Sequence, residues 1–317
     1  MEFLVPAQLG GLVAQTLNGL YFGAILFMIA TGLTVILGVL DVLNLAHGEL
    51  YAFGAYTAVS VYGFLSGSIA PAPVDTSSAL VFLLVIFAGA LLSAAVLIPV
   101  GAIIESVFVR PVYGRHEVYE LLLTFALLNI IIDLMKGIWG RLPTRADGVY
   151  SGINELSTTE LIGFQYPSYN LIVVVVGVVV FALLIWFFDR TKTGRIIRAT
   201  AINREMATAI GVNTGRTFTI VFALGAFLAG FAGAMAIPPI STSLTMGVNP
   251  LVLSFVVIVI GGLGSIQGAF VAAMLVGVTS RLATVVYPPV ELAAPFALMA
   301  IVLLIKPQGL YGTWGET

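Results

Sequence analysis

The sequence predicts an all-α polytopic membrane protein with eight to ten membrane-spanning helices, some of them broken or re-entrant. Three observations predict this class. Hydrophobic residues make up 60% of the 317 residues. Charged residues make up only 9%, against about 25% in a typical soluble domain. Apolar stretches of roughly 20 residues, enough to cross a bilayer core of about 30 Å, follow one another along the chain.

Nine spans are predicted, and together they form a single transmembrane domain over 1–317. The spans are 11–38, 44–65, 80–108, 118–138, 169–188, 217–237, 250–264, 267–286 and 291–306. The first two run together and 250–264 is short for a full crossing, so a broken or re-entrant helix is expected at both places. Such backbone is tolerated at membrane depth only where protein or a water-filled cavity replaces lipid.

The positions of Lys and Arg predict the orientation of the chain. None precedes Arg110, whereas the segment 189–216 contains Arg190, Lys192, Arg195, Arg198, Arg204 and Arg216. Loops rich in Lys and Arg stay in the cytoplasm, so 189–216 is predicted to be cytoplasmic. Counting spans from this segment places the C-terminus in the cytoplasm and an outer loop at 139–168. An odd number of spans places the N-terminus outside.

Composition excludes several kinds of site. The chain has no cysteine and only two histidines, His47 and His116, which argues against a metal centre and a thiol nucleophile. A net charge of −2 lacks the basic stripe of a nucleic-acid binder. Lys192 is the single lysine followed by Ser or Thr, and the glycines of a phosphate-binding loop do not precede it. We therefore expect no catalytic, cofactor or metal site in this chain.

The cytoplasmic segment contains "TGRIIRATAINREMATAIGVN", residues 193–213. Its apolar residues fall on one side of a short pair of helices, which predicts an element that lies flat at the inner face. On charge alone, a loop that only sets topology explains the segment equally well. The spacing of Glu205, Ala207 and Gly211, however, resembles the E-A-A-x-x-x-G coupling loop of ABC importer permeases, with Met206 in its second position.

The stretch "LGVLDVLNLAHGELYAFGAY", residues 37–56, places four polar side chains in an otherwise apolar region. Two depths are compatible with the sequence: the inner surface, where Asp41 to Glu49 meet water, or the midplane, where they line a cavity. Two roles are open as well. Asn44 and His47 brace a broken helix at a gate, with Gly48 allowing the turn, or Asn44 caps the second span. The role of Glu49 is undecided between a surface charge and a partner of His47 or Arg110.

Four stretches in matching order resemble one family, the permease subunits of branched-chain amino acid ABC importers, and in particular the H-type subunit. They are "GLTVILGVLDVLNLAHGELYAFGAY" (32–56), "IESVFVRPVYGR" (104–115), "GRIIRATAINREMATAIGVN" (194–213) and "VIGGLGSIQGAFVAAMLVG" (259–277). The chain departs from the family pattern at Ser106, Met206 and Gln267, and the last of these leaves the substrate open.

The resemblance implies a subunit of an ATP-driven, binding-protein-dependent importer in the prokaryotic plasma (inner) membrane. It implies a second homologous permease, two ATP-binding subunits that hydrolyse ATP, an extracytoplasmic binding protein and a small amino-acid-like substrate. Urea or short amides are the alternative substrates, and an ion-coupled secondary carrier is the alternative class. The implied ATPase-coupling residues are Arg195, Arg198, Asn203, Glu205, Ala207 and Gly211. The candidate residues of the pathway or gate are Asn44, His47, Gly48, Gly264, Gln267 and Gly268.

Overall fold

The computed structural model describes residues 4–68, 76–145 and 166–312, and within them it contains helices and no strands. The all-α class is confirmed. Residues 146–165 of the predicted outer loop lie outside the described residues. Eleven α-helices follow in chain order: α1 (Leu4–Leu40), α2 (His47–Ser68), α3 (Thr76–Ile103), α4 (Glu117–Trp139), α5 (Ser168–Arg190), α6 (Lys192–Ile202), α7 (Arg204–Ala209), α8 (Thr214–Ala236), α9 (Val248–Gly261), α10 (Ile266–Val286) and α11 (Ala293–Ile305).

Nine of the described helices coincide with the nine predicted spans, and α6 and α7 form the predicted helix pair between them. Six of the nine are long and apolar enough to cross a membrane, namely α1, α3, α4, α5, α8 and α10. Helices α9 and α11 are apolar but shorter. Beyond Ile103, α3 continues as a π-helix over Ile104–Val109 and a 3-10 turn over Arg110–Val112.

The two ends of the bundle are distinguished by the basic segment 189–216. We call the end that holds this segment the basic end. Arg110, just after α3, donates to Gly215 O at 3.1 Å and so lies there. The last described residues lie there too, because the N–H of Tyr311 donates to Gly261 O at 3.0 Å, at the turn that leads into α10 beside Arg198. At the opposite end, Thr242 N donates to Thr144 O at 2.8 Å.

Helices α1 and α8 form the core of the bundle. Their central side chains are almost all buried, as from Ala24 to Ala30 in α1. The two helices approach closely where Gly32 faces Gly225, since a Cβ on Gly32 would lie 2.8 Å from Gly225 O. Small residues permit such backbone contact and so favour helix association in membranes.

Two crossings are formed by helices that begin inside the bundle, and they occupy equivalent places in the two halves of the chain. Helix α1 leads through the non-helical segment 41–46 into α2, and α8 leads through 237–247 into α9. Helix α1 packs on α10, as α8 packs on α3. The chain therefore repeats one arrangement in opposite directions across the membrane, as many transporters do.

Candidate functional site

His47 lies in the middle of the bundle. Its Nε2 is 3.0 Å from Ile29 O, to which an Nε2–H donates. Its ring also lies against Gly32, which in turn faces Gly225, halfway along α8. Burial is complete, with 0% of His47 exposed.

Asp41, by contrast, lies at the basic end. There it lines a cavity of about 690 Å³ together with Glu117 and Arg204. The six residues after α1 thus lead from the basic end to mid-depth. The interpretation that places all of Asp41 to Glu49 at the surface is wrong for His47 and Glu49, which are 0% and 1% exposed.

Asn44 forms the turn that starts α2. Its Oδ1 accepts a hydrogen bond from Ala46 N at 3.1 Å, and its carbonyl accepts one from His47 N at 3.2 Å. An Asn side chain that bonds the backbone two residues ahead stabilises such a turn locally. Thr124 in α4 donates to Leu43 O at 3.2 Å, which holds the same non-helical segment from the other side. Because α2 begins at His47, this is an Asx turn that leads into the helix, and Asn44 does not itself hold the N-cap position.

The two broken helices begin next to each other. Gly48 in the first turn of α2 faces Gly247, the residue that precedes α9, and a Cβ on Gly48 would lie 2.5 Å from Gly247 O. Only glycine allows this approach of the two backbones. The partial positive charges of two helix N-termini therefore meet inside the bundle.

Polar atoms at this junction lack hydrogen-bond partners among the described residues. They are Asn44 Nδ2, His47 Nδ1 and both carboxylate oxygens of Glu49. Buried polar groups are nearly always paired, so an unpaired group marks a place where water or a ligand is needed. Glu49 lies in the first turn of α2, where the helix dipole favours a carboxylate.

Gly264, Gln267 and Gly268 lie elsewhere, in the turn and first residues of α10 at the basic end. Gly264 has φ of +76° and packs against Gly38 near the end of α1. Ser265 caps α10 by accepting from Gly268 N at 3.0 Å. The six candidate pathway residues therefore form two separate groups. Gly264 and Gln267 instead line a cavity of about 160 Å³ with Arg198 of α6.

Residues 191–213 are the segment predicted to couple to an ATPase, called the coupling segment below, and three caps hold it. Thr191 accepts from Gly194 N at 3.0 Å to start α6, and Asn203 Oδ1 accepts from Met206 N at 2.8 Å to start α7. Gly211 turns the chain with φ of +91°, and Asn213 then caps α8. Glycine adopts this left-handed conformation without the cost of a side chain.

Arg198 ties the coupling segment to α5. Its Nη1 is 2.8 Å from Asp189 Oδ1, and its Nη2 donates to Phe188 O at 2.5 Å. Arg195 and Glu205 are exposed. Ala207 is only 2% exposed, so its small side chain serves packing within this chain.

An apolar ridge projects from α6 and α7. We define it by Ile202, Met206 and Ile210, which are 86%, 61% and 71% exposed. Met206 lies on α7, Ile210 directly follows its last residue, and Ile202 is the last residue of α6. Large exposed apolar groups beyond the membrane-spanning helices mark a surface that contacts another protein or the membrane surface.

A polar network beneath the ridge was not singled out from the sequence. The carboxylate of Glu105, 0% exposed in the π-helix, accepts from Arg110, from Tyr113 at 3.2 Å and from Thr219 at 2.7 Å. Burial and the charge of Glu105 raise the pKa of Tyr113 above its ordinary value, so the hydroxyl remains a donor. The available signal was an acid five residues before an arginine at the end of a predicted span.

The network continues to α7 through aromatic contacts. The Tyr113 and Phe218 rings pack edge to face with centroids 5.4 Å apart. Arg204, the first residue of α7, lies over the Phe218 ring at 4.6 Å, a geometry that attracts a cation. The coupling segment is thus joined to the ends of α3 and α8. Among the described residues, no three His, Asp or Glu side chains group so as to hold a metal ion.

A family described as the branched-chain amino acid transport system permease component matches residues 15–305. The chain belongs to this family. The resemblance drawn from the four sequence stretches is therefore confirmed, as is the expectation of a multi-pass transport subunit of the inner membrane.

Relatives of the family match nearly the whole chain. The high-affinity branched-chain amino acid transport system permease protein LivH of Salmonella typhimurium is 27% identical over 94% of both chains. BraD of Pseudomonas aeruginosa, which carries the same description, is 28% identical over 94% of this chain and 95% of its own. The fructose import permease protein FrcC of Rhizobium meliloti is 36% identical, over 33% of this chain and 32% of its own.

Proposed function

We propose that the chain is one membrane-spanning subunit of an ATP-driven importer of branched-chain amino acids, and that α6 and α7 couple it to ATPase subunits. The observation that carries this proposal is the apolar ridge of Ile202, Met206 and Ile210, exposed beyond the membrane-spanning helices. The family and the names of its relatives support the transport of branched-chain amino acids.

Coupling requires that force on the ridge reach the membrane helices. Arg198 connects the helix pair to α5 through Asp189. Arg204 connects it through Phe218 and Tyr113 to Glu105 at the end of α3. An ATPase that seats against the ridge can therefore shift α3, α5 and α8 together when it closes around nucleotide.

The remaining parts of the importer are proposed on the same basis. A second homologous permease completes the pathway, two ATP-binding subunits hydrolyse ATP, and an extracytoplasmic binding protein delivers substrate. This chain carries no cofactor. The basic end faces the cytoplasm, because loops rich in Lys and Arg remain there. The last described residues lie at this end and therefore face the cytoplasm too.

The junction of α2 and α9 is proposed as the gate. In the present arrangement Gly48 and Gly247 are in backbone contact and the polar groups of Asn44 and His47 are fully buried. Separation of the two helix ends would expose the unpaired polar atoms to water or substrate. Gly264, Gln267 and Gly268 then form a second part of the pathway, at the cytoplasmic end of α10.

Uptake into vesicles tests the proposal. Vesicles are prepared from cells that express this chain with its partner subunits, and uptake of labelled leucine is measured with ATP and with the ion gradient collapsed. We expect uptake that requires ATP and survives collapse of the gradient. Uptake that is independent of ATP but is lost when the ion gradient collapses would establish an ion-coupled carrier. Competition by unlabelled leucine, urea and fructose separates the possible substrates.

Charge substitutions on the ridge test the coupling role. Ile202→Asp and Ile210→Asp are expected to abolish ATP-dependent uptake while the chain still inserts into the membrane. Leu142→Asp is the matched control, since Leu142 is an apolar side chain 80% exposed at the opposite end. Normal uptake by the ridge variants, with ATPases still bound, would exclude the coupling assignment.

A further inference from the structure

A long apolar groove of about 770 Å³ runs along α5, with its other walls formed by α3 and α8. All 16 residues that line it are apolar or aromatic, from Leu171 to Phe187 on α5. At 1.5 Å per residue this wall is about 24 Å long, longer than one leaflet of a bilayer core of about 30 Å. Lining residues such as Val175 and Leu183 are 61% and 58% exposed. Such a surface is compatible with an acyl chain.

The α5 wall of the groove ends in a free arginine at the basic end. Arg190 follows Leu183 and Phe187 by seven and three residues, which places it on the face of α5 that lines the groove. Arg190 is exposed and its side chain has no partner among the described residues. The neighbouring acid, Asp189, is already paired with Arg198. The positive charge of Arg190 is therefore not neutralised by the acid beside it.

The α8 wall also has, at the basic end, an arginine without a partner among the described residues, Arg216. From Leu224 toward the basic end, Ile220 and Arg216 follow at intervals of four, and both line a second cavity of about 350 Å³. Arg216 is exposed, and no bond from its side chain is found among the described residues. Two walls of one apolar groove thus carry unneutralised guanidinium groups at the same end.

Trp186 lies between the apolar and the charged part of the groove. It is 58% exposed, one turn before Arg190. Tryptophan concentrates at membrane interfaces, where the ring meets acyl chains and the N–H meets polar headgroups. The order along α5 is therefore acyl-compatible surface, an interfacial donor, and a cation.

We propose that this groove binds an anionic phospholipid from the leaflet at the basic end. An acyl chain lies along α5 against Val175 and Leu183, Trp186 donates to an ester carbonyl, and Arg190 and Arg216 bind the phosphate. Arginine recognises phosphate through paired N–H donors. A zwitterionic lipid fits less well, because its ammonium group would meet two arginines. A helix of another subunit would need acidic side chains at this level to neutralise both guanidinium groups.

Quenching of Trp186 by brominated lipids tests this site. The chain has three tryptophans, and Trp139→Phe with Trp314→Phe leaves Trp186 as the reporter. The full-length protein is placed in nanodiscs of phosphatidylcholine that contain increasing brominated phosphatidylglycerol or, separately, brominated phosphatidylcholine. We expect phosphatidylglycerol to quench at a several-fold lower mole fraction. A basic residue near the surface is worth about 1 kcal/mol toward anionic lipid, or about fivefold in preference.

Matched variants assign the preference to the groove. Arg190→Gln and Arg216→Gln are each expected to lower the phosphatidylglycerol preference about fivefold, and Arg190→Lys should retain most of it. Arg115→Gln removes one exposed charge that does not line the groove, and should leave the preference unchanged. Quenching by brominated phosphatidylcholine reports the insertion of every variant.

Three results would overturn the proposal. Equal quenching of the parent protein by the two lipids would show that the groove has no preference for anionic lipid. An equal loss in Arg115→Gln would assign the preference to overall surface charge. Protection of Trp186 from both lipids would place a protein helix in the groove. None of these outcomes bears on transport, so this test of the lipid site is independent of the test of the proposed function.

Discussion

The carboxylate of Glu105 and the guanidinium of Arg110 form a two-point ion pair, with Nε–Oε1 of 3.1 Å and Nη2–Oε2 of 2.7 Å. The carboxylate is fully buried, whereas 42% of the Arg110 side chain is exposed. Because Arg110 also donates to Gly215 O and Thr219 Oγ1, the pair fastens the end of α3 to the start of α8.

Arg110→Gln is expected to destabilise the protein, because it leaves the buried charge of Glu105 without its counter-ion. Removal of one partner from a buried pair costs roughly 3–5 kcal/mol. We expect the lower part of this range, since Tyr113 and Thr219 still donate to Glu105. The free energy of unfolding in detergent measures the effect.

The double variant Glu105→Gln, Arg110→Gln provides the control for this pair. It should be less destabilised than the sum of the two single variants, because it leaves no isolated charge. Arg115→Gln, a nearby exposed change, should stay within about 0.5 kcal/mol of the parent. Strict additivity of the two single effects would contradict the assignment.

Gly48→Ala is expected to disrupt the junction of the broken helices, because the added Cβ would lie 2.5 Å from Gly247 O. The backbones of α2 and α9 would have to separate, so the yield of folded protein and the melting temperature should both fall. Gly137→Ala in α4 is the matched control, since a Cβ there meets no atom within 4 Å. There the change should be neutral or stabilising by up to about 1 kcal/mol. An unaffected Gly48→Ala protein would show that the two backbones are not in contact.

The sequence predicted the membrane helices well because their signal is local. Hydropathy over about 20 residues defines α4 and α5 without knowledge of their neighbours. The apolar residues on one side of 193–213 likewise predicted the pair α6 and α7. The cap formed by Asn203 and the turn at Gly211 use residues that favour those positions from sequence alone.

The depth of His47 was not predictable because it depends on contacts that are distant in sequence. Its level is set by Ile29 and Gly32 of α1, and the junction exists because Gly48 meets Gly247. No lysine or arginine precedes Arg110 to mark the inner surface in this part of the chain. The network around Glu105 was missed for the same reason, since Thr219 lies more than a hundred residues away.

Glu49→Gln is expected to stabilise the folded chain. The carboxylate of Glu49 is 1% exposed and has no hydrogen-bond partner among the described residues. A neutral amide of the same shape avoids the cost of an unpaired buried charge. This outweighs the helix-dipole contribution of up to about 1 kcal/mol that the carboxylate gains in the first turn, and we expect a net gain of about 1 kcal/mol. Asp133→Asn, at a side chain 74% exposed, should change stability by no more than about 0.5 kcal/mol. A loss of stability in Glu49→Gln would show that water or a partner subunit holds this carboxylate.

Asn203→Ala is expected to lower ATP-dependent uptake because it removes the cap of α7. An N-cap contributes about 1 kcal/mol, so the balance between ordered and frayed helix shifts about fivefold. Asn203→Asp retains an oxygen that accepts from Met206 N and should transport at nearly the parental rate. Equal uptake by the two variants, in the vesicle assay with leucine, would show that an ordered α7 is not needed.

Cross-linking from the apolar ridge tests the central claim most directly. The chain has no cysteine, so Met206→Cys provides a unique attachment point on α7. We predict that this cysteine cross-links to an ATPase subunit in the assembled transporter, with a yield that changes when ATP is added, and that Leu142→Cys does not. An active transporter in which Met206→Cys never reaches the ATPase would contradict the proposal that α6 and α7 couple ATP hydrolysis to transport.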